Sequence, residues 1–245
     1  MKTAAFSARN RKEMIRDPLN MAFGIGFPLV ILLLLTALQS NIQVELFAID
    51  QLVPGVAVFG LSFISLFSGM LIAKDRSTSF LMRLFTAPLT APDYILGYTL
   101  PLIPMAVLQI TITFIAAAFL GLVIHFNVLL SIVVLIPVAI LFICIGLLAG
   151  SLFNDKLVGG VCGALLTNLS AWLSGTWFDL NLVGGWFKGI AYMLPFAHAV
   201  DAGSAAISGD YASILPHLWW VIGYAVAVMI IAIFVFRKQM SSDND

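Results

Sequence analysis

Residues 74–93 read KDRSTSFLMRLFTAPLTAPD and separate two long apolar runs. The middle of this stretch holds four apolar residues at the i, i+1, i+4, i+5 spacing that gives a helix one apolar face: Phe80, Leu81, Leu84 and Phe85. Pro88 and Pro92 end that helix, because proline has no amide hydrogen and its ring clashes with the preceding turn. The stretch therefore predicts a short amphipathic helix between two membrane spans. Such a helix either docks onto a partner at the membrane surface or lies on lipid, and the pattern alone favours neither.

The composition indicates which solvent surrounds the chain. Hydrophobic residues make up 61% of the 245 residues and charged residues 10%, whereas a soluble domain has about 25% charged residues. We therefore expect lipid to surround most of the chain. The formal net charge of +0 indicates no nucleic-acid partner. Cys144 and Cys162 lie inside apolar runs, which argues against a disulfide framework, and the lack of a Cys/His cluster argues against a metal site.

Six apolar runs are long enough to cross a bilayer, which takes about 20 residues of helix. They lie at about residues 19–38, 52–73, 94–124, 128–153, 157–177 and 214–236. The basic segment 1–18 precedes the first run, which is longer than the apolar core of a signal peptide and is followed by no A-x-A cleavage site. We therefore predict an interfacial helix at 1–18 and an all-α polytopic membrane protein, with residues 1–245 forming a single transmembrane domain.

Residues 178–213 are apolar without being a clear span. They contain four charged residues and a proline: Asp179, Lys188, Pro195, Asp201 and Asp210. Each charge at the bilayer centre would cost about 2.5–3.5 kcal/mol on insertion scales. We therefore expect a re-entrant or interfacial hairpin on the outer side.

The placement of basic residues predicts the orientation. In a six-span chain, 11 of the 12 Lys and Arg residues fall on one side and only Lys188 falls on the other. Basic loops stay cytoplasmic, so both termini are expected inside a plasma-membrane protein. All five tryptophans fall near the outer end of a span, as in an interfacial aromatic belt.

Two strings of residues resemble a known family. The segment Arg83-Leu84-Phe85-Thr86-Ala87-Pro88-Leu89, with Asp75-Arg76 upstream, resembles the cytoplasmic loop of type-2 ABC exporter permeases. Arg16-Asp17-Pro18 resembles the residues that lead into that family's first span. This chain has Ser79, Phe80 and Met82 where the family usually has glycine, threonine and glutamate. The resemblance implies that the loop at 74–93 holds a coupling helix that sits in a groove of an ATP-hydrolysing subunit.

The resemblance also implies partners and an activity. Its candidate ATPase-coupling residues are Asp75, Arg76, Phe80, Arg83, Leu84, Phe85, Pro88 and Leu89. Two permease chains, expected to be identical, would pair in the lipid bilayer with two separate ATPase subunits below them. The cargo would be a drug, a peptide, a lipid or a lipid-linked glycan, moved out of the cell.

The chain itself is not expected to be an enzyme. It contains no G-x-x-x-x-G-K-[ST] phosphate-binding loop, so a separate polypeptide must bind ATP, and no cofactor or catalytic residue is predicted. Two other functions remain open: a structural or regulatory membrane protein that docks a different cytoplasmic partner, and an ATP-independent carrier. The lack of charged residues inside the predicted spans argues against an ion-coupled carrier.

A few polar and small residues lie inside the predicted spans. Gln109 and Thr113 share one face of the third span and Asn168 lies in the middle of the fifth. Each is a candidate for lining a substrate path, or else bonds to a neighbouring helix. The fifth span has a stripe of small residues at Gly159, Gly163, Thr167, Ala171 and Gly175, and Gly146 and Gly150 repeat the pattern in the fourth. Such residues let helix backbones approach closely, within one chain or between two.

Overall fold

The computed structural model describes residues 2–18, 22–42, 47–78 and 90–242, and within these ranges the chain is helical with no strand. The helices are α1 (Lys2–Ile15), α2 (Ala22–Gln39), α3 (Ile49–Ser77), α4 (Ala91–Phe119), α5 (Phe126–Leu152), α6 (Asp155–Leu173), α7 (Leu180–Val183), α8 (Gly185–Met193), α9 (Pro195–Ser208) and α10 (Tyr211–Ser242). Six of them, α2 to α6 and α10, are long and apolar enough to cross a membrane. The predicted all-α fold with six transmembrane helices is therefore confirmed.

Helix α3 is the centre of the bundle. In its most apolar window 83% of the residues are buried in the protein, against 17% in α10. Its closest neighbour is α5, whose Gly146 and Gly150 lie directly on the α3 backbone. A Cβ atom at Gly150 would overlap the carbonyl oxygen of Gly69, and one at Gly146 would overlap Ser65 and Ser68. The small residues of the fourth span therefore serve packing within the chain.

The predicted hairpin is confirmed as two helices, α8 and α9, that bend by 82° at their junction. Pro195 begins α9, where proline's missing amide hydrogen costs nothing. Most of α9 is buried, and it packs against α3, α5 and α10. The Ser131 hydroxyl of α5 donates to the Gly203 carbonyl at 2.9 Å, and a Cβ atom at Gly203 would lie 2.9 Å from Pro54 Cβ. The second arm of the hairpin is therefore inserted into the bundle.

The bundle has two ends that differ in what they carry. We call the end with α1, the C-termini of α3 and α10 and the N-terminus of α4 the loop end, because residues 79–89 connect α3 to α4 there. The opposite end, with α7, α8 and the start of α10, is the hairpin end. Six of the predicted coupling residues lie outside the described residues: Phe80, Arg83, Leu84, Phe85, Pro88 and Leu89.

Candidate functional site

Helix α1 packs onto α4 at the loop end. The Phe6 ring is 6% exposed and meets the rings of Tyr94 and Tyr98 edge-on, with centroids 5.8 and 4.9 Å away. Gly97 leaves room for it, since a Cβ atom there would overlap the Phe6 ring. The buried Asn10 amide, one turn further along α1, donates to the Gly97 carbonyl at 3.1 Å. Phe6 and Asn10 are four residues apart on α1, so their side chains share the face that packs on α4.

A buried carboxylate joins α1 to both helices that flank the loop. Asp75 lies in the last turn of α3 and is 2% exposed. The Arg9 guanidinium donates to both of its oxygens, at 2.5 and 2.8 Å, and the Tyr98 hydroxyl donates at 2.8 Å. A buried carboxylate is costly unless paired and hydrogen-bonded, and this bidentate pair with a third donor meets both needs.

The same cluster continues outward to the surface. Burial alone would lower the pKa of Arg9, but the hydrogen bond and the charge of Asp75 outweigh it and raise that pKa above its ordinary value. Arg9 also contacts Glu13 at 2.8 Å, and Lys74 contacts Glu13 at 3.4 Å. These outer pairs are partly exposed, so each contributes at most about 1 kcal/mol. The buried Arg9–Asp75 pair is therefore the contact that positions α1.

Arg76 ties α3 to the end of α5. Its Nη1 atom donates to the carbonyl oxygens of Gly150 and Ser151, at 2.9 and 2.5 Å. These carbonyls belong to the last turn of α5 and have no amide partner within the helix, and a cation there also complements the helix dipole. Asp75 and Arg76, two predicted coupling residues, therefore have side chains that contact other parts of this chain.

The C-terminal end of the loop, at the start of α4, is fixed in a similar way. Thr90 and Asp93 form a capping box at the start of α4, in which the Thr90 amide donates to Asp93 Oδ2 at 2.9 Å. The other oxygen of Asp93 accepts from the Thr3 hydroxyl of α1 at 3.1 Å. Both ends of the segment 79–89 are therefore held against α1.

A cavity of about 830 Å³ opens beside this cluster. Its apolar lining comes mainly from α3 and α4, with Phe67, Met70, Leu71 and Met105. Its charged lining comes mainly from α1, with Lys12, Glu13 and Arg16, and includes Lys74 of α3. A space lined by both apolar and charged side chains fits a molecule that has both an apolar and a polar part.

The predicted path residues fall in two places. Gln109 and Thr113 are buried, with Gln109 Nε2 3.3 Å from the Thr113 hydroxyl. Gln109 packs against Gly60 of α3 and Pro28 of α2, and its Oε1 atom has no hydrogen-bond partner among the described residues. Asn168 is exposed on α6 and donates to the Ala164 carbonyl at 2.8 Å. The three residues therefore do not line one common surface.

The hairpin end holds a contact that sequence reasoning missed. His198 is 7% exposed and its Nδ1 atom lies 2.8 Å from His217 Nδ1. Their separation of 19 residues across two helices carries no recognisable spacing. Within the described ranges, no three His, Cys, Asp or Glu side chains are grouped so as to hold a metal ion.

Comparison with known proteins identifies the family. The model of the ABC-2 type transporter family matches residues 1–207 of the chain. Neither the curated proteins nor the solved structures gave a match. The matched range runs from α1 almost to the end of α9 and includes both strings of residues on which the resemblance rested. The chain is therefore a member of the ABC-2 type transporter family, the membrane-spanning permease component of an ABC transporter.

Proposed function

We propose that this permease is part of an ATP-driven exporter and moves a hydrophobic or amphiphilic molecule out of the cell. The observation that carries the proposal is the double anchoring of segment 79–89, through Asp75 and Arg76 on one side and Asp93 on the other. A segment anchored at both ends transmits a displacement to the helices that hold it. The amphipathic pattern of the segment supplies an apolar surface that a partner can bind and displace.

In this proposal segment 79–89 contains the coupling helix. Phe80, Leu84 and Phe85 enter the groove of the ATPase subunit, and Arg83 lies on its rim. Pro88 ends the helix, and Leu89 leads the chain on towards Thr90. Asp75 and Arg76 act indirectly, because their side chains connect the coupling helix to α1, α4 and α5. Closure of two ATPase subunits on ATP would then move these helices together.

The loop end is proposed to be cytoplasmic. Among the described residues, nine basic side chains belong to this end of the bundle: Arg9, Arg11, Lys12, Arg16, Lys74, Arg76, Lys156, Arg237 and Lys238. Lys188 belongs to the hairpin end. Basic residues are retained inside, which puts both termini in the cytoplasm of a plasma-membrane protein. A single cysteine at Ser208 should then react with an impermeant thiol reagent in intact cells, and one at Ser77 only after the membrane is opened.

Pairing with a second, identical permease chain is proposed to use α6. Added Cβ atoms at Gly159 and Gly160 would meet no other atom within 4 Å. Asn168, on the same helix, is exposed at mid-span. An amide in hydrocarbon is unfavourable, and a second helix can approach such small residues closely enough to cover it. Asn168 would then lie between the two chains, beside the substrate path.

The cargo class is supported by the cavity at the loop end. Its apolar side chains, mainly from α3, and its charged side chains, mainly from α1, would take the two parts of an amphiphile from the inner leaflet. A drug, a peptide, a lipid or a lipid-linked glycan has this character. The cavity of about 830 Å³ is large enough for the polar part and the beginning of an apolar chain.

The decisive experiment is reconstitution with and without an ABC ATPase. The permease alone should hydrolyse no ATP, while the complex in inverted vesicles should accumulate fluorescent amphiphiles only with ATP. An ATPase variant that binds but does not hydrolyse ATP is the control. Accumulation by the permease alone would indicate an ATP-independent carrier. Failure to retain any ABC ATPase in mild detergent would favour the structural or regulatory alternative.

A further inference from the structure

Five side chains from three helices meet at the hairpin end and form what we call the histidine cluster: Tyr192, His198, Asp201, His217 and Trp220. The His198 ring lies parallel to the Trp220 ring, with centroids 5.2 Å apart and planes inclined by 4°. The Tyr192 ring meets it edge-on at 5.4 Å. The cluster joins the inserted helix α9 to the last span α10 and lies at the opposite end of the bundle from the coupling loop.

The hydrogen bonds of His198 determine where its proton lies. Its Nε2 atom is 3.0 Å from the Tyr192 carbonyl oxygen. A carbonyl oxygen can only accept, so Nε2 must carry a hydrogen. Neutral His198 therefore has a bare Nδ1 atom that accepts. Since His217 Nδ1 lies 2.8 Å from it, His217 must donate and must carry its hydrogen on Nδ1.

This arrangement accepts one proton and is broken by a second. The first proton binds His217 Nε2, leaves the Nδ1–H···Nδ1 bond in place and makes it charge-assisted. Asp201 Oδ2 lies 3.9 Å from His217 Nδ1 and balances that charge. Of the four ring nitrogens, only His198 Nδ1 could then accept a second proton. Two N–H groups and two positive charges would then face each other across 2.8 Å, which no hydrogen bond can bridge.

The groups around the cluster make binding of the second proton less favourable but do not prevent it. Burial lowers the pKa of His198 and raises the pKa of Asp201. The other charged or titratable groups around the cluster are Lys188 of α8 and Tyr224 of α10, whose ring lies 6.3 Å from that of Trp220, with Asp179 before α7 and Asp50 of α3 on the cavity that Asp201 lines. The residues of α3 and α5 that contact α9 at Gly203 are Pro54, Ser131 and Leu135, which do not titrate in the acidic range.

We propose that His198 and His217 form a proton-controlled latch between the inserted helix α9 and the last span α10. The latch is closed with no proton or one proton added and is opened by the second, so that α9 loosens at acidic pH. It needs no ATPase partner and no cargo. Its test is therefore independent of the transport activity proposed above.

Nitrogen-15 NMR of the histidine rings tests the closed state directly. The chain has only three histidines, so full-length protein labelled at histidine in lipid nanodiscs gives few signals, which His→Gln variants assign. Near neutral pH, His198 should carry its hydrogen on Nε2 and neutral His217 should carry it on Nδ1. On acidification His217 should take up its proton before His198. The opposite tautomers, or two rings that titrate independently, would overturn the proposal.

Hydrogen exchange of the α9 amides tests the opening. We compare about pH 7.5 with about pH 5, a range that brackets the ordinary histidine pKa. As the pH is lowered, the exchange rate of the α9 amides, corrected for its intrinsic pH dependence, should rise by about 10- to 150-fold. This is the change expected for the loss of a hydrogen bond to a charged group. His217→Gln should abolish the rise, because the glutamine amide can donate to neutral His198 or accept from charged His198. His125 lies outside the cluster, although its Nε2 atom is 3.3 Å from the Ile207 carbonyl at the far end of α9. His125→Gln should retain the rise, which would show that the rise comes from the cluster and not from this contact. Unchanged α9 protection in the unmodified protein would overturn the latch even if His217→Gln does not fold.

Discussion

The two ends of the bundle are held together by different chemistry. At the loop end, α1 is held by the ion pair of Arg9 with Asp75 and by the burial of Phe6. At the hairpin end, α9 is held by two histidines, a stacked indole and a bond to a backbone carbonyl. An arginine keeps its charge at all physiological pH values, whereas histidine changes charge between about pH 5 and 8. The comparison indicates that the loop end suits constant mechanical connection, and that the hairpin end suits a response to acidity.

The largest effect is expected from Leu84→Asp in the proposed coupling helix. Burial of a leucine contributes about 1.5–3 kcal/mol, and an unpaired buried charge costs several kcal/mol more. Docking of the ATPase should therefore weaken by about a thousandfold, since each 1.4 kcal/mol is a factor of ten. Co-purification of the ATPase measures this, with the permease level in the membrane as a check on insertion.

Arg83→Ala is the matched variant for this prediction. A rim ion pair is worth only about 0.2–1 kcal/mol, so this change should leave most of the ATPase bound. Recovery of the ATPase with Leu84→Asp at the unmodified yield would mean that the segment lies on lipid. The loop end would then have no coupling role.

The next effect concerns the buried ion pair. Arg9→Ala leaves the Asp75 carboxylate, whose side chain is 3% exposed, without its cation. Removing one partner of a buried pair typically costs about 3–5 kcal/mol, and α1 should detach from α4. Hydrogen exchange of the α1 amides and the melting temperature in detergent should both report the loss.

Arg11→Ala is the control for the ion pair, because Arg11 is an exposed residue on the same helix. Arg11→Ala should change neither the hydrogen exchange of the α1 amides nor the melting temperature. The double variant Arg9→Ala/Asp75→Ala should be less damaging than Arg9→Ala, since it removes the uncompensated charge. Equal behaviour of Arg9→Ala and Arg11→Ala would show that the ion pair does not position α1.

A smaller effect is expected from Gly150→Ala, next to the Arg76 contact. Its Cβ atom would overlap the Gly69 carbonyl, and overpacking of this kind costs about 1–3 kcal/mol. Gly160→Ala, whose Cβ atom would meet nothing within 4 Å, should be neutral in the isolated chain. The melting temperatures of the two variants give the comparison. Equal melting temperatures would mean that α3 and α5 are less closely packed at the loop end than described.

The smallest effect is expected from pH at the loop end. The folded-state pKa of Arg9 is raised above its ordinary value, so the stability due to its charge is fully present below that ordinary value and is lost only as pH rises through the raised pKa. Lowering the pH from about 7.5 to about 5 therefore leaves the contribution of Arg9 unchanged, and corrected α1 exchange should change by less than about twofold. A rise in α1 exchange that parallels the rise in α9 would remove the distinction between the two ends.

Several features could be predicted because they depend on local patterns. The six spans followed from the length of each apolar run, and the hairpin followed from charges and Pro195 inside an apolar segment. The family followed from short contiguous strings around Arg83 and Arg16, and the family match confirmed it. The docking face of residues 79–89 remains a prediction.

The contacts that distinguish the two ends could not be predicted in this way. Arg9 and Asp75 are 66 residues apart, and His198 and His217 are 19 apart on different helices. Asp75 belongs to the predicted loop at 74–93, yet it is buried, and His198 is buried too. Hydrophobic length determines that a helix crosses the membrane, because that cost is summed along one segment. Which side chains meet depends on how helices rotate and pack against one another, and here close packing at Gly97, Gly150 and Gly203 decided it.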